Sequence, residues 1–212
     1  MEIGILLLII SYLIGSIPFG LLIGKAAGKD IRKSGSGNIG TTNVVRTLGI
    51  KLGLLSAVCD IAKGTIITIL VYILESATNW RNPFTINGDS LYALYGLVAV
   101  IGHCFPIYIK FKGGKAVATS LGVLLTTVPW AALAAIIGYS LVLLITGFVS
   151  LSSTVAAIGA VIVTFIVYGY FHSQLFTSII ISLLALLIFI KHIPNYKRLI
   201  AGTEYCFKKK NK

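Results

Sequence analysis

The chain has 212 residues, 57% of them hydrophobic and only 11% charged. Soluble proteins carry about 25% charged residues, so this composition excludes an ordinary water-soluble domain. Eighteen Lys and Arg against six Asp and Glu leave a net charge of +12, which admits nucleic acid, anionic lipid or an anionic substrate as partner until the positions of the charges are considered.

The first apolar run covers residues 3–24 and is preceded only by Met1 and Glu2. The basic n-region of a secretory signal is missing, so a retained helix is expected. Further apolar runs lie at about 52–74, 91–109, 117–128, 131–145, 154–170 and 175–190. A bilayer core of roughly 30 Å takes about 20 apolar residues per helical crossing, which leaves no room for a soluble domain. The fourth and fifth runs are short and separated by Pro129 and Trp130, as in one kinked helix or a tight hairpin.

Charge placement arbitrates. Six Lys and Arg lie in residues 25–51, three in 110–115 and seven in 191–212, with only Lys63 and Arg81 elsewhere. Two crossings at 117–145, with the N-terminus outside, put all three basic segments on the cytoplasmic side. The expected fold class is therefore an all-α integral membrane protein of about seven transmembrane helices, some short, with the N-terminus outside and the C-terminus cytoplasmic. It forms one polytopic domain, with polar cytoplasmic loops at 25–51, 110–116 and 146–153 and a tail at 191–212. Residues 75–90 then lie outside. Asp60 and Lys63, three apart in the second run, share a helical face and read as an internal ion pair ahead of an ion pathway. Cys59, Cys104 and Cys206 lack metal-ligand spacing, and neither disulfides nor zinc are expected.

The first polar loop reads Lys33-Ser34-Gly35-Ser36-Gly37-Asn38-Ile39-Gly40-Thr41-Thr42-Asn43, with Arg46 three residues on. Glycines let successive N–H groups turn inward, hydroxyls and amides add donors, and Arg46 adds charge, a composition suited to a phosphate. Gly35, Gly37 and Gly40 match GxGxxG, but that pattern marks a dinucleotide site only between a strand and a helix. A flexible linker is the bland alternative, and the Ser, Asn, Thr and Arg among the glycines argue against it.

The second segment runs Gly102-His103-Cys104-Phe105-Pro106 and then Lys110-Phe111-Lys112-Gly113-Gly114-Lys115-Ala116. Lysines beside paired glycines at a helix start offer an anion both charge and backbone N–H groups. It is not a Walker A loop, because Ala116 follows the lysine and Ile109 stands where the first glycine belongs. Thr146 to Ser153 collects hydroxyls without charge, as a helix turn and cap would. The tail brings His192, Asn195 and Glu204. A lone histidine at a membrane edge is more often an interfacial polar group, and this holds for His103 also; His172 falls on the outer side.

Together these segments resemble the bacterial acyl-phosphate:glycerol-3-phosphate acyltransferase family, PlsY. The resemblance spans nearly the whole chain and rests on residues 34–43 with Arg46, 102–119, 150–153, and His192, Asn195 and Glu204. It implies transfer of a fatty acyl group from acyl phosphate to the 1-hydroxyl of glycerol 3-phosphate, giving lysophosphatidic acid for phospholipid synthesis. It also implies a bacterial plasma (inner) membrane location with the active site facing the cytoplasm. Ile193 and Pro194 replace a charged pair that members often carry between the histidine and asparagine.

The resemblance assigns catalytic roles to Ser36, Arg46, Lys115, His192, Asn195 and Glu204. It assigns phosphate binding to Gly35, Gly37, Asn38, Gly40, Thr41, Asn43, Lys112, Gly113, Gly114 and Ser150. The expected partners are glycerol 3-phosphate and fatty acyl phosphate in a lipid surround, without nucleic acid, and no cofactor or metal is needed. Acyl phosphate is an activated mixed anhydride, so alignment of the hydroxyl and oxyanion stabilisation are the main tasks. Candidate donors are Ser36, Asn38, Thr41 and Asn195. No His-x4-Asp dyad exists, since Tyr108, Thr177 and Lys197 stand five positions after the histidines. The base is then His192, Glu204 or, as favoured here, the donor's own phosphate. An anion transporter ranks second, because it needs polar residues strung through the membrane interior. A structural subunit binding anionic lipid ranks third, because it leaves the Ser, Asn, Thr and Arg pattern unexplained.

Overall fold

The computed structural model describes residues 1–171 and 174–208, so His172 and the last four tail residues lie outside the described residues. The chain divides into two compact units, Met1–Thr127 and Val128–Lys212. Among the described residues six helical segments are long and apolar enough to cross a membrane, and Val117–Thr127 is a shorter apolar helix.

In the first unit, the 3–24 run is a broken crossing: α1 (Glu2–Gly15) and α2 (Phe19–Ala26) meet at a short break. Pro18 has no N–H to continue the ladder and biases Ile17 away from helical geometry. Residues 25–51 hold more order than a linker would, with a 3-10 turn at Ile31–Lys33 and helix α3 (Thr41–Leu48). Gly49, at φ +86°, turns the chain from α3 into α4 (Ile50–Ala77), a backbone angle that favours glycine. A two-residue hairpin, β1 (Thr85–Ile86) with β2 (Asp89–Ser90), interrupts the otherwise helical fold and pairs Thr85 with Ser90. Helix α5 (Tyr92–Cys104), a 3-10 turn at Ile107–Ile109 and α6 (Val117–Thr127) complete the unit.

Small residues let these helices meet closely, as association within lipid requires. Gly15 of α1 lies against the backbone of Ala99 in α5, and Gly102 of α5 against that of Tyr12 and Ser16. Gly64 of α4 faces the Thr119 carbonyl, and Gly122 of α6 faces that of Ile61. Thr65 Oγ1 donates to Gly122 O at 3.1 Å across the α4–α6 contact. A buried cluster of Leu7, Ile67, Val71 and Tyr95 fills one part of this unit. A second, of Leu21, Ile31, Ile39 and Val44, lies under the first glycine loop and also packs Ile109 of the second polar segment. Outward faces carry exposed Ile5, Leu6, Ile9, Leu54, Val58 and Ile66, the pattern of helices whose solvent is hydrocarbon.

The second unit begins with α7 (Pro129–Thr146), whose first-turn proline needs no donor there. The fourth and fifth apolar runs are thus two separate helices with Val128 between them. Gly147, at φ +74°, caps α7 in the left-handed region and α8 (Val149–Val163) follows at once. The sixth crossing therefore starts five residues earlier than its apolar run suggested. A π-helical stretch, Thr164–Phe171, extends it. Helix α9 (Leu175–Ile200) carries the chain past Pro194, so the first ten tail residues are helical and not loop.

Candidate active site

The first glycine loop is organised by Asn43, a buried residue in the first turn of α3. Its Oδ1 accepts from Ser36 N at 2.8 Å. Its Nδ2 donates to Ile31 O at 2.8 Å, Ser34 O at 3.2 Å and Asn38 O at 2.8 Å. Two amide hydrogens serve three carbonyls, so one bond is shared. The loop is consequently a closed turn held from inside, in which Asn38 Oδ1 also accepts from Gly40 N at 2.8 Å. Gly35 and Gly37 take φ of +62° and +70°. A Cβ at Gly35 would meet Asn43 Oδ1 and lie 3.2 Å from Arg46 Cδ, so the Arg46 side chain runs beside the turn. Ser36 is exposed on it, and Thr41 Oγ1 is buried with no hydrogen-bond partner among the described residues. The turn ends at the N-terminus of α3, where aligned N–H groups favour an anion.

At the flank of this loop, Asp30 accepts from Arg32 Nε at 3.0 Å, from its Nη2 at 2.7 Å and from its backbone N at 3.0 Å. These bonds hold the Asp30 carboxyl well below the usual carboxylate range and raise Arg32. Both are solvated, so the pair shapes the turn more than it stabilises the protein.

The second segment folds back on the end of α5. Gly114 N donates to His103 O at 3.0 Å. A Cβ at Gly113 would strike that carbonyl and Pro106, and one at Gly114 would strike the His103 ring at Nε2. Paired glycines are therefore required by close approach. Lys110, Phe111 and Ala116 all take positive φ, between 55° and 60°, so the turn from Lys110 to Ala116 is tightly coiled. Lys112 is exposed, Lys115 half-buried, and α6 starts just beyond. Below the turn lies a buried charged group: Lys63 Nζ is 2.9 Å from Asp60 Oδ1 and 2.7 Å from His103 Nδ1. The ion pair expected of Asp60 and Lys63 is present, and it extends to a histidine that sequence spacing gave no reason to join to it.

In the second unit, α9 and the tail assemble His192, Asn195 and Glu204. His192 is buried and its Nδ1 donates to Ile188 O at 2.8 Å, so that nitrogen carries a proton. Asn195 Nδ2 donates to Glu204 Oε1 at 2.6 Å, and Arg198 Nε donates to Glu204 Oε2 at 2.7 Å. Both carboxylate oxygens of Glu204 are thus engaged in holding the end of α9. Tyr196 stacks on His192 with centroids 6.2 Å apart, and its hydroxyl lies 2.7 Å from Thr154 Oγ1 on α8. Thr154 Oγ1 in turn donates to Ser150 O at 2.9 Å. Ser150 Oγ is buried without a hydrogen-bond partner among the described residues. Sequence reading missed Thr154, Tyr196 and Arg198; the i, i+4 spacing of His192 with Tyr196 was the available signal.

The sequence matches the profile of the glycerol-3-phosphate acyltransferase family over residues 5–202. It is 45% identical to the glycerol-3-phosphate acyltransferase of Desulfotalea psychrophila, an alignment covering 95% of this chain and 97% of that one. A crystal structure of PlsY, an integral membrane glycerol 3-phosphate acyltransferase in its glycerol 3-phosphate form, superposes with a TM-score of 0.82 at 39% identity, covering 96% of this chain and 95% of that one. Its lysophosphatidic acid form superposes with a TM-score of 0.79 at 38% identity, covering 96% and 94%. With full-length coverage in both sequence and fold, this chain belongs to the glycerol-3-phosphate acyltransferase family and is a multi-pass membrane acyltransferase of phospholipid synthesis.

Proposed function

We propose that the chain transfers a fatty acyl group from acyl phosphate to the 1-hydroxyl of glycerol 3-phosphate, releasing lysophosphatidic acid and inorganic phosphate. The observation that carries this reading is the Asn43-held glycine turn with Arg46 running beside Gly35. The Arg46 side chain, the Ser36 hydroxyl and the start of α3 belong to this one turn, a combination whose chemistry suits a phosphate. Arg46 with Ser36, Asn38, Thr41 and the backbone at Gly35, Gly37 and Gly40 takes one substrate phosphate. Asn43 acts through the turn it holds. Lys112 and Lys115 with Gly113 and Gly114 take the other.

The attacking hydroxyl adds to the acyl carbonyl, the carbon–oxygen bond to phosphate breaks, and the hydroxyl proton leaves with that phosphate. Such a leaving group needs little further activation, which suits a site whose Glu204 is already committed to Asn195 and Arg198. Within the second unit, Glu204 positions Asn195, and His192, Asn195 and Ser150 are the polar residues to which the family resemblance gives a role. The polar segments at 25–51, 110–116 and 146–153 and the tail at 191–212 face the cytoplasm, with the N-terminus outside, as the lysine distribution favours. On this reading residues 1–212 act as a single polytopic domain in a bacterial inner membrane.

Donor choice is tested with detergent-purified protein, glycerol 3-phosphate, and either palmitoyl phosphate or palmitoyl-CoA without added metal. Lysophosphatidic acid from palmitoyl phosphate only is the expected result. Equal product from the thioester would overturn the proposed donor.

A further inference from the structure

The Asp60, Lys63 and His103 cluster is the costliest polar feature of the first unit, since all three are buried on membrane-crossing helices. Ordinary helix pairing does not require it: α4 and α5 already pack through buried Ile67, Val71 and Tyr95. The Lys63 ammonium is ion-paired with Asp60 Oδ1 at 2.9 Å, lies 2.7 Å from His103 Nδ1 and donates to Ile17 O at 3.1 Å. The Ile17 carbonyl belongs to the break between α1 and α2, and the ammonium also lies 5.8 Å from the centre of the Phe19 ring. His103 Nδ1 faces the ion pair, 2.7 Å from Lys63 Nζ and 3.5 Å from Asp60 Oδ1, which leaves Nε2 on the far side of the ring. That nitrogen is the one against Gly114, and the His103 carbonyl accepts the Gly114 N–H at 3.0 Å. One residue thus holds the glycine turn by ring and by backbone, and Lys63 and Asp60 fix the ring.

We propose that Asp60, Lys63 and His103 are positioning residues for acyl transfer, which hold the Gly113–Gly114–Lys115 turn in the shape that receives a substrate phosphate. This rests on the reading that the turn binds phosphate. Lys63 orients the imidazole, the imidazole supports Gly114 from below, and Lys115 follows Gly114 in the chain. The cluster needs no contact with substrate to act.

The two ring nitrogens allow a decisive substitution pair. His103→Asn keeps an acceptor for Lys63 but removes the atoms beneath Gly114. His103→Gln keeps a polar group beneath Gly114 but gives up the Nδ1 position. In detergent-purified protein, with palmitoyl phosphate and glycerol 3-phosphate each varied, His103→Asn should raise KM for one of the two about tenfold with kcat within about threefold. His103→Gln should restore most of that loss, with both variants melting close to wild type. In the Lys115→Ala background, whose own KM for the same substrate is raised further, His103→Asn should add less than about twofold. If Lys115→Ala raises that KM but folded His103→Asn leaves it unchanged, the positioning role is wrong and the phosphate turn stands. If Lys115→Ala changes neither KM nor kcat, the phosphate reading fails and the positioning role with it. Should His103→Asn not fold, Gly114→Ala, which strikes the same ring, carries the test: an unchanged KM there overturns the role.

Discussion

At the scale of single residues, the site depends on side chains spent on the protein's own backbone. Asn43 reads in the sequence as one more donor in a polar loop. In the fold its amide is committed to Ile31, Ser34, Ser36 and Asn38, so it builds the turn. Sequence composition identified the loop; the four bonds that shape it join residues five to twelve apart, which no local pattern encodes. Asn43→Ala should therefore leave several buried polar groups unpaired and lower stability by about 1–3 kcal/mol along with activity, measured by thermal unfolding in detergent. Lys63→Ala strands the Asp60 carboxylate in the membrane interior and should cost about 3–5 kcal/mol. Asp30 behaves oppositely. Its carboxyl is lowered by Arg32, so its contribution is present above the unfolded pKa and lost as pH falls through the folded one. Asp30→Asn should melt slightly below wild type between about pH 5 and 9, and the difference should shrink as pH falls below about 4, as read from melting curves across pH.

At the scale of elements, what apolar runs predicted well was number and approximate place. They failed at ends, for physical reasons. Helix α8 starts at Val149 because Ser152, Ser153 and Thr154 return their hydroxyls to Phe148, Val149 and Ser150 carbonyls, so polar residues sit inside a helix without exposed hydrogen-bonding groups. Helix α9 passes Lys191 and Pro194 because Asn195 and Arg198 anchor its last turns to Glu204. The break at Pro18 was legible, but its use was not: it yields the Ile17 carbonyl that Lys63 reaches from α4, a pairing 46 residues apart. The α4–α6 contact gives the clearest test at this scale. Gly122→Val drives a side chain into the Ile61 carbonyl and should destabilise the protein by about 1–3 kcal/mol or prevent its folding, seen as a lower melting temperature or loss of folded yield. Gly159→Ala, whose added carbon would touch only the Ala134 carbonyl at 3.9 Å, should be nearly neutral in the same assay.

At the scale of the molecule, six long apolar helices and a shorter one among the described residues, with a net charge of +12 whose basic residues gather in three segments, suit a membrane enzyme for anionic substrates. The proposed orientation has a direct consequence. In a cysteine-free background, Thr85→Cys in the hairpin should react with a membrane-impermeant maleimide in intact cells, while Lys33→Cys in the first basic loop should react only after lysis. The reverse pattern would invert the proposed topology. The central claim, that the two glycine turns are the phosphate-gripping parts of an acyltransferase, is tested most directly by initial rates of lysophosphatidic acid formation from palmitoyl phosphate and glycerol 3-phosphate. Arg46→Ala and Lys115→Ala should each lose activity by about 100- to 1000-fold while remaining folded; folded variants that retain wild-type rates would contradict the account.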